Sequence, residues 1–355
     1  MPQPTLTWRY VYGIISTDAP VIFEVGSIDG SRDVYTVGEG NLAVVTSEVA
    51  QTSFSGLGRA EAIQFLSAHQ RVLETVRRDY AVLPIKFGTV LPDEARLRAL
   101  LRHGAGMFRD TLATYASKEQ YEVVVLWDVG KVIQQIATDE RIVAVKQQVA
   151  QLPPEQLEAG RMLVGQLVHA ALQERRRAIA TEILAVLRDL PEDTIENPLM
   201  DDTMVSNLAL LIDEARTAEL DERLNTLDAQ FAGTLQIRCV GPLPAYSFAT
   251  LEVQPPPAEA VEAARVSLGL EPTTSATAIK GAYRRLAALA HPDHNPGSAV
   301  AGAEMEDLTA AYKLLTAVAH AQAPVEAGND WVCHLDREAI EGTLLISLRR
   351  QEVAL

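Results

Sequence analysis

Three consecutive prolines at residues 255–257 constrain the folding of this chain more than any other feature of its sequence. Proline lacks a backbone N–H and has a fixed φ, so a run of prolines favours an extended polyproline II segment over a helix or a paired strand. We therefore predict a linker over residues 255–261 that separates independently folded parts. The length of 355 residues supports this division, because one hydrophobic core rarely extends over so long a chain.

Before the prolines, segments with strand composition alternate with segments of helical periodicity. The strand-like segments are residues 9–15, 41–46, 82–90 and 121–127, and the helical segments are residues 58–79 and 92–117. The former are rich in β-branched and aromatic residues, and the latter repeat apolar residues three and four positions apart. This order predicts a first α+β domain over residues 1–130, with helices on one face of a sheet that residues 121–127 close. Pro84 offers no N–H to a neighbouring strand, which predicts an edge position for its segment.

A second α+β domain is predicted over residues 131–254. Residues 131–149 and 155–190 are long helical segments, followed by a strand at 203–212, a helix at 214–231 and a strand at 234–240. Three successive arginines at residues 175–177 are interpreted as a solvated helix face rather than a phosphate site. The tail at residues 319–355 contains two strand-like segments, 331–335 and 342–348, which we expect to pair with each other or to extend an existing sheet.

Acidic residues outnumber basic ones by 47 to 31, which gives a net charge of −16 and a pI of about 4.9. Such a protein repels phosphate, so neither nucleic acid nor an anionic membrane is an expected partner. Two cysteines are too few for a disulfide framework and indicate a reducing compartment. The sequence shows neither a signal peptide nor an apolar run of the roughly 18 residues that cross a bilayer. We therefore expect a cytoplasmic protein.

Few patterns in the sequence are typical of an enzyme. Residues 56–61 lack the third glycine of a dinucleotide fingerprint, and no Walker A sequence occurs. The seven histidines are scattered, and His103, His169 and His320 have no carboxylate or cysteine at metal-ligand spacing. His69 lies on the apolar face of its predicted helix, where a hydrogen-bonded core histidine is commoner than a catalytic one. We expect no catalytic activity, no cofactor and no metal ion.

After the prolines, two apolar stripes predict a pair of packed helices. The first stripe is Ile279, Tyr283, Leu286 and Leu289, and the second is Met305, Leu308, Ala311, Tyr312 and Leu315. Two such helices with a short connection pack as an antiparallel hairpin. The other side of the first helix carries a basic ridge of Lys280, Arg284 and Arg285, and the connection begins with His291-Pro292-Asp293. Pro292 disfavours helical backbone at His291, so the first helix is expected to end there.

This hairpin with its His-Pro-Asp triplet resembles the J-domain of the DnaJ (Hsp40) co-chaperones over residues 262–318. The resemblance implies a module that binds an Hsp70 (DnaK) chaperone and stimulates its ATP hydrolysis, without hydrolysing anything itself. By the same resemblance, Lys280, Arg284 and Arg285 dock on an acidic Hsp70 surface, and His291, Pro292 and Asp293 engage the switch region of that chaperone. Ala264 and Val266 replace the tyrosines usual in the first helix of the family, which leaves open a J-like domain that no longer engages Hsp70.

Four patches before the prolines resemble the gas vesicle protein F/L family (GvpF/GvpL). They are Tyr-Val-Tyr-Gly-Ile at residues 10–14, Leu-Pro-Ile-Lys-Phe-Gly-Thr-Val at 83–90 with His69, Val72 and Leu73 upstream, Asn-Leu-Ala-Leu-Leu at 207–211, and Gly-Pro-Leu-Pro-Ala-Tyr-Ser-Phe at 241–248. The resemblance implies a ferredoxin-like N-terminal domain followed by an α+β C-terminal domain. It also implies an accessory protein of gas vesicle formation that associates with the small, very apolar shell protein GvpA.

The two resemblances together predict a non-enzymatic assembly factor for gas vesicles, located in the cytoplasm and at the vesicle. Its acidic α+β domains would cover the apolar faces of GvpA or bind other accessory Gvp proteins, and its J-domain would recruit Hsp70 to the same client. The alternative is a structural gas vesicle component whose J-like domain no longer engages Hsp70.

Overall fold

The structure is a computed structural model that describes residues 8–231, 233–290, 299–324 and 330–351. The described residues form two compact units. The first unit combines the segment up to Thr114 with Ala249–Arg349, and the second combines Tyr115–Phe248 with the residues after Arg349. None of the described helices is both long and apolar enough to cross a membrane.

An antiparallel sheet and two helices form the N-terminal part of the first unit. The strands are β1 (Trp8–Ser16), β2 (Ile22–Gly26), β3 (Asp33–Glu39), β4 (Leu42–Val49), β5 (Val82–Pro84) and β6 (Val90–Leu91), and the helices are α1 (Arg59–Arg77) and α2 (Glu94–Tyr115). The strand order is β2-β3-β4-β1-β5, and β6 also pairs with β1. Both helices bury an apolar face, through Val72 and Leu73 in α1 and through Leu97 and Leu100 in α2. The predicted α+β class is confirmed.

Two strands of this sheet, β2 and β3, are not predicted from the sequence. β2 is an edge strand of only five residues, in which Phe23 is buried but Ile22 is 71% exposed, so its sequence shows little periodic signal. The segment at residues 82–90 is two strands rather than one, because Gly88 takes a φ of 85° in the turn between β5 and β6. Glycine adopts such a backbone at little cost, since it has no Cβ. As predicted, β5 lies at an edge of the sheet.

The second unit is built on a four-stranded antiparallel sheet with the order β10-β7-β9-β8. Its strands are β7 (Lys118–Trp127), β8 (Asp193–Glu196), β9 (Met204–Asp213) and β10 (Leu235–Leu243), and its helices are α3 (Val129–Ile136), α4 (Glu140–Ala150), α5 (Leu157–Leu187) and α6 (Thr217–Phe231). Val123 of β7, Leu210 of β9 and Ile183 of α5 belong to the same hydrophobic core.

The strand β7 corrects one expectation about the first sheet. Residues 121–127 do not close that sheet, because β7 pairs with β9 and β10 along most of its length. Its buried side chains, among them Val123 and Val125, contribute to the core of the second unit. The boundary between the compact units therefore falls between Thr114 and Tyr115, whereas the predicted domain boundary is at residue 130.

The helical region of the second unit corrects two further expectations. The helix predicted over residues 131–149 is two helices, because Asp139 caps α4 by accepting the N–H of Arg141 at 2.9 Å. The arginine run in α5 is solvated only at Arg175 and Arg177. Arg176 is 8% exposed and pairs with Asp202 at 3.0 Å, so it is part of the fold.

The C-terminal part of the first unit is a helical module with two short antiparallel ribbons. The predicted linker at residues 255–261 is shorter than expected, because a helix begins at Ala258, and it does not separate the module into a compact unit of its own. The helices of the module are α7 (Ala258–Ser267), α8 (Ala276–Ala290), α9 (Ala299–Ala321) and α10 (Arg337–Gly342), and its strands are β11 (Thr250–Gln254), β12 (Thr273–Ser275), β13 (Val332–His334) and β14 (Leu345–Arg349). β11 pairs with β14, and β12 pairs with β13. The two tail strands therefore neither pair with each other nor extend one of the two larger sheets, which were the two alternatives expected from the sequence. The reason is that Cys333 and Leu335 are buried in the core of the helical module, which draws β13 to β12.

Candidate functional site

Helices α8 and α9 form the hairpin that the two apolar stripes predict. The core they share contains Ile279 and Ala282 from α8, Leu315 and Val318 from α9, and Val261 and Ala264 from α7. Tyr283 and Tyr312 stack across the hairpin with ring centroids 4.4 Å apart and an interplanar angle of 15°. Leu289, the last residue of the first stripe, is not a core residue, because 69% of its surface is exposed.

Lys280, Arg284 and Arg285 occupy exposed positions on α8 and together are named the basic face. Lys280 and Arg284 are one helical turn apart, so their side chains are neighbours on the helix surface. The helix contains no acidic residue, and within the described part of the chain none of the three side chains forms an ion pair. The structure thus gathers three of the predicted site residues into a concentration of positive charge on a protein whose net charge is −16.

The other three predicted site residues, His291, Pro292 and Asp293, lie outside the described residues. In sequence they follow directly after Ala290, the last residue of α8. The chain therefore attaches the His-Pro-Asp triplet to the end of the helix that carries the basic face.

The C-terminal tail completes the core of this module, and nothing in the sequence predicts that role. Cys333, Leu335 and Ile340 are each at most 2% exposed and belong to the same core as the three helices. The indole N–H of Trp331 donates to the carbonyl of Ala319 at 2.7 Å, which ties the tail to the end of α9. Each apolar run of the tail is short, and its partners lie far away in sequence, so hydrophobic periodicity gives little signal.

The first two family patches meet in a buried cluster around His69. The hydroxyl of Tyr10 accepts the N–H of Gly88 at 3.1 Å and is hydrogen-bonded to Nδ1 of His69 at 2.9 Å. A backbone hydrogen bond with Ile85 acts on His69 in the direction that raises its pKa, but it is outweighed by burial. Burial lowers the pKa of His69 to about 4, so its imidazole is neutral at pH 7. His69 is a hydrogen-bonded core histidine, as its position on the apolar face predicts.

The fourth family patch, at residues 241–248, belongs to the second unit, and its end is buried at Ser247 and Phe248. The side-chain amide of Gln120 donates to the Ser247 hydroxyl at 3.0 Å, and its carbonyl accepts the Ser247 N–H at 2.8 Å. Gly241 lies so close to Tyr121 that a Cβ there would be 2.4 Å from the aromatic ring. This patch, like the cluster around His69, has its polar groups hydrogen-bonded within the fold.

Within the described part of the chain, no three His, Cys, Asp or Glu side chains come together in a way that could hold a metal ion. Cys333 is buried, which raises the pKa of its thiol and disfavours the reactive thiolate. The basic face consists of residues that the sequence singles out and that the structure leaves exposed on one helix. Its positive charge is suited to binding an acidic partner.

Comparison with known proteins divides the chain at the same place as its prolines. Residues 8–250 match the family model described as gas vesicle synthesis protein GvpL/GvpF, and residues 266–322 match the model of the DnaJ domain. The first match covers more than half of the chain, and the second contains α8, the triplet and α9.

Curated relatives agree with both matches. Gas vesicle protein F of Dolichospermum flosaquae is 25% identical over 68% of this chain and 98% of that protein. Gas vesicle protein L1 of Halobacterium salinarum is 29% identical over 68% of this chain and 90% of that protein. Chaperone protein DnaJ of Chlamydia pneumoniae is 47% identical over 49 residues, which are 14% of this chain and 12% of that protein.

Two solved structures share the fold of the region before the prolines. The crystal structure of GvpF from Anabaena sp. PCC7120 has a TM-score of 0.55 and 22% identity, and it covers 68% of this chain and 94% of that chain. The crystal structure of GvpF from Microcystis aeruginosa has a TM-score of 0.53 and covers 68% of this chain and 98% of that chain. The chain therefore belongs to the gas vesicle synthesis protein GvpL/GvpF family, and it carries a DnaJ domain after the family region.

Proposed function

We propose that this protein is a non-enzymatic assembly factor that binds the gas vesicle shell protein GvpA, or other accessory Gvp proteins, and recruits an Hsp70 chaperone to them. The basic face of α8 carries the proposal. It is exposed, it has no ionic partner among the described residues, and His291-Pro292-Asp293 follows it in sequence. In a member of the GvpL/GvpF family, such a face would bring a chaperone to gas vesicle proteins in the cytoplasm.

The Hsp70 contact would be electrostatic and local. Each of the two guanidinium groups, on Arg284 and Arg285, can form a bidentate bond with a carboxylate, and Lys280 adds a compact charge. The protein as a whole carries a net charge of −16, so its mean field repels an acidic chaperone surface. Binding would therefore depend on short-range pairing at the basic face, and it would weaken as salt screens that pairing.

The client contact would be apolar. Subunits that polymerise through apolar faces aggregate early unless those faces are covered, and an acidic carrier keeps the complex dispersed. The second unit exposes several large apolar side chains, among them Met162 at 62% and Met200 at 79%. Methionine adapts its flexible side chain to irregular apolar partners, so these residues are candidates for the client contact.

A single-turnover ATPase assay with Hsp70 tests the first half of the proposal. Wild-type protein is expected to accelerate hydrolysis, and both His291→Gln and the double variant Lys280→Glu/Arg284→Glu are expected to lose this stimulation. The matched control is Arg175→Glu/Arg177→Glu, which changes the charge equally at exposed positions of α5. If the wild type gives no stimulation, the alternative of a structural vesicle component holds.

Capture of GvpA tests the second half. The full chain and its His291→Gln variant are expected to retain GvpA equally under conditions in which GvpA stays soluble, because the triplet has no part in client binding. Failure of the wild type to retain GvpA, with the other Gvp accessory proteins also unbound, would show that the protein does not act as a client carrier.

A further inference from the structure

Residues 330–349, named the strap, contact two parts of the first unit that are far apart in sequence. One is the rest of the helical module, with α7, α9 and the basic face of α8, and the other is the N-terminal sheet with its helix α2. These residues follow the DnaJ match, which ends at residue 322, and they lie outside the GvpL/GvpF match as well.

The strap is bound to the helical module by buried contacts. Its residues Cys333, Leu335 and Ile340 are in the hydrophobic core of the module. Gln322, just after α9, exchanges two bonds with the backbone of His334: its Nε2 donates to the carbonyl at 2.9 Å, and its Oε1 accepts the N–H at 2.8 Å. Removing the strap from the module would expose these apolar side chains to water, so this attachment is the stronger of the two.

The strap reaches the N-terminal sheet through β14, which pairs with β11 over its whole length. In turn, β11 bonds to the chain after β5, where the N–H of Lys86 donates to the carbonyl of Leu251 at 2.8 Å. Ile85 and Leu251 form a parallel bridge at the same place. Leu251 has no exposed surface, so the ribbon of β11 and β14 is packed against protein rather than extended into solvent.

Side-chain contacts also connect the strap with the N-terminal sheet and with α2. Glu252 accepts from Nζ of Lys86 at 2.6 Å and from Nε of Arg349 at 2.8 Å, so its carboxylate links the N-terminal sheet, β11 and the strap. The side chain of Glu252 is 13% exposed, and its two cationic partners hold its pKa below the usual range. From α2, Arg96 donates to the carbonyl of Gly342 in the strap.

We propose that the strap fixes the rest of the helical module against the N-terminal sheet, so that the basic face has one orientation relative to that sheet instead of moving on a tether. This inference rests on the proposed function only for its purpose, which is to hold the Hsp70-binding face in one direction relative to the N-terminal sheet. A fixed module loses no freedom when both partners bind, whereas a mobile one must be ordered first.

Distances between two spin labels test the proposal in the full chain. The labels are placed at Gln70→Cys on α1 and Ala278→Cys on α8, both exposed, in a Cys239→Ser background that leaves only the buried Cys333. The wild-type background is expected to give one narrow distance distribution. The double variant Arg96→Gln/Arg349→Gln removes the contact of Arg96 with Gly342 and the contact of Arg349 with Glu252. It is expected to give a broad distance distribution instead of the narrow one.

The matched control is Arg98→Gln/Arg337→Gln. It makes the same change in α2 and in the strap, but its arginines pair within their own helices, with Glu94 and Glu341. This variant is expected to keep the narrow peak. A chain that ends at Thr343 lacks β14 but retains Cys333, Leu335 and Ile340, and it is expected to give the broadest distribution.

A broad distribution in the wild-type background, or a narrow one in both the double variant and the shortened chain, would overturn the proposal. Stimulation of Hsp70 ATPase is measured on the same proteins and is expected to be unchanged, because the basic face is intact in each. A wild-type protein that gives a narrow distance distribution but does not stimulate the Hsp70 ATPase would refute the proposed function. The proposal that the strap fixes the module would still hold.

Discussion

The cluster around His69 and the basic face of α8 both contain residues by which a family is recognised, but they lie in opposite environments. Tyr10 and His69 are buried, and their polar atoms are hydrogen-bonded to each other and to backbone. Lys280 and Arg284 are exposed, and among the described residues they have no ionic partner. A buried polar group left unpaired costs about 1–3 kcal/mol, whereas an exposed charge is solvated by water.

This contrast separates residues that maintain the fold from residues that are available to a partner. Substitutions in the buried cluster are expected to change the free energy of unfolding, and substitutions in the basic face are expected to change binding alone. Three predictions test the contrast in order of decreasing effect on stability.

The largest effect is expected from acid, through His69. Its pKa is about 4 in the folded chain and 6.5 as a free side chain. The unfolded chain therefore binds this proton at higher pH, so the stability contributed by neutral His69 is present above pH 6.5 and is lost as the pH falls towards 4. The full loss is about 3 kcal/mol. Denaturant unfolding of the wild type and of His69→Gln, compared from pH 7 to pH 4, measures it.

The difference between the two pH profiles is the quantity to compare, because His69→Gln also changes stability at neutral pH. His103→Gln, at an exposed position of α2, is the control and is expected to follow the wild-type profile. Parallel profiles for the wild type and His69→Gln would show that His69 titrates equally in the folded and unfolded chains.

A smaller loss of stability is expected from Gly13→Ala in β1. A Cβ at this position would lie 2.9 Å from the carbonyl oxygen of Leu83 and from Cγ2 of Val82, and 3.0 Å from Cδ2 of Leu73. Backbone cannot move aside as a flexible side chain can, so the substitution is expected to cost about 1–3 kcal/mol in thermal or denaturant unfolding.

Gly106→Ala provides a control of opposite sign. Gly106 lies inside α2, and a Cβ there would meet no atom within 4 Å. Alanine is expected to stabilise this helix by about 1 kcal/mol, because it restricts the unfolded chain more than glycine does. Equal effects at the two positions would mean that the close approach of β1 and β5 does not limit residue 13.

Local patterns predict much of this fold, because helices and strands follow from periodicity within a few turns or alternations. The α+β class, α1, α2 and the α8–α9 hairpin are recovered in that way. The pairing of β14 with β11 is not, since the partners are separated by the whole helical module and each is only five residues long. Non-local pairing of short strands leaves no local signal.

In the candidate site, too, local sequence patterns predict one part and non-local contacts determine the rest. The order of charged residues predicts the positive charge of α8, but sequence alone does not distinguish Arg284, which is exposed, from Arg176, which is buried. Both lie in arginine runs on helices. The difference comes from Trp127 and Asp202, which are brought to Arg176 by the tertiary fold of the second unit.

The smallest effect on stability is expected at the basic face itself. Arg284→Gln/Arg285→Gln replaces two exposed side chains, so the free energy of unfolding is expected to stay within about 0.5 kcal/mol of the wild type. Arg176→Gln makes the same chemical change at a buried position, where Nη2 donates to the carboxylate of Asp202 at 3.0 Å and to its carbonyl at 3.1 Å. Loss of these bonds is expected to cost about 1–3 kcal/mol.

Binding to Hsp70, measured on the same two variants, is expected to reverse that order. The double variant loses the guanidinium groups that pair with carboxylates and binds more weakly, whereas Arg176→Gln retains the basic face and binds as the wild type does. If the double variant were as unstable as Arg176→Gln, the basic face would be packed within the protein. The basic face would then stabilise the fold as the buried residues do, and its residues could not be assigned to partner binding alone.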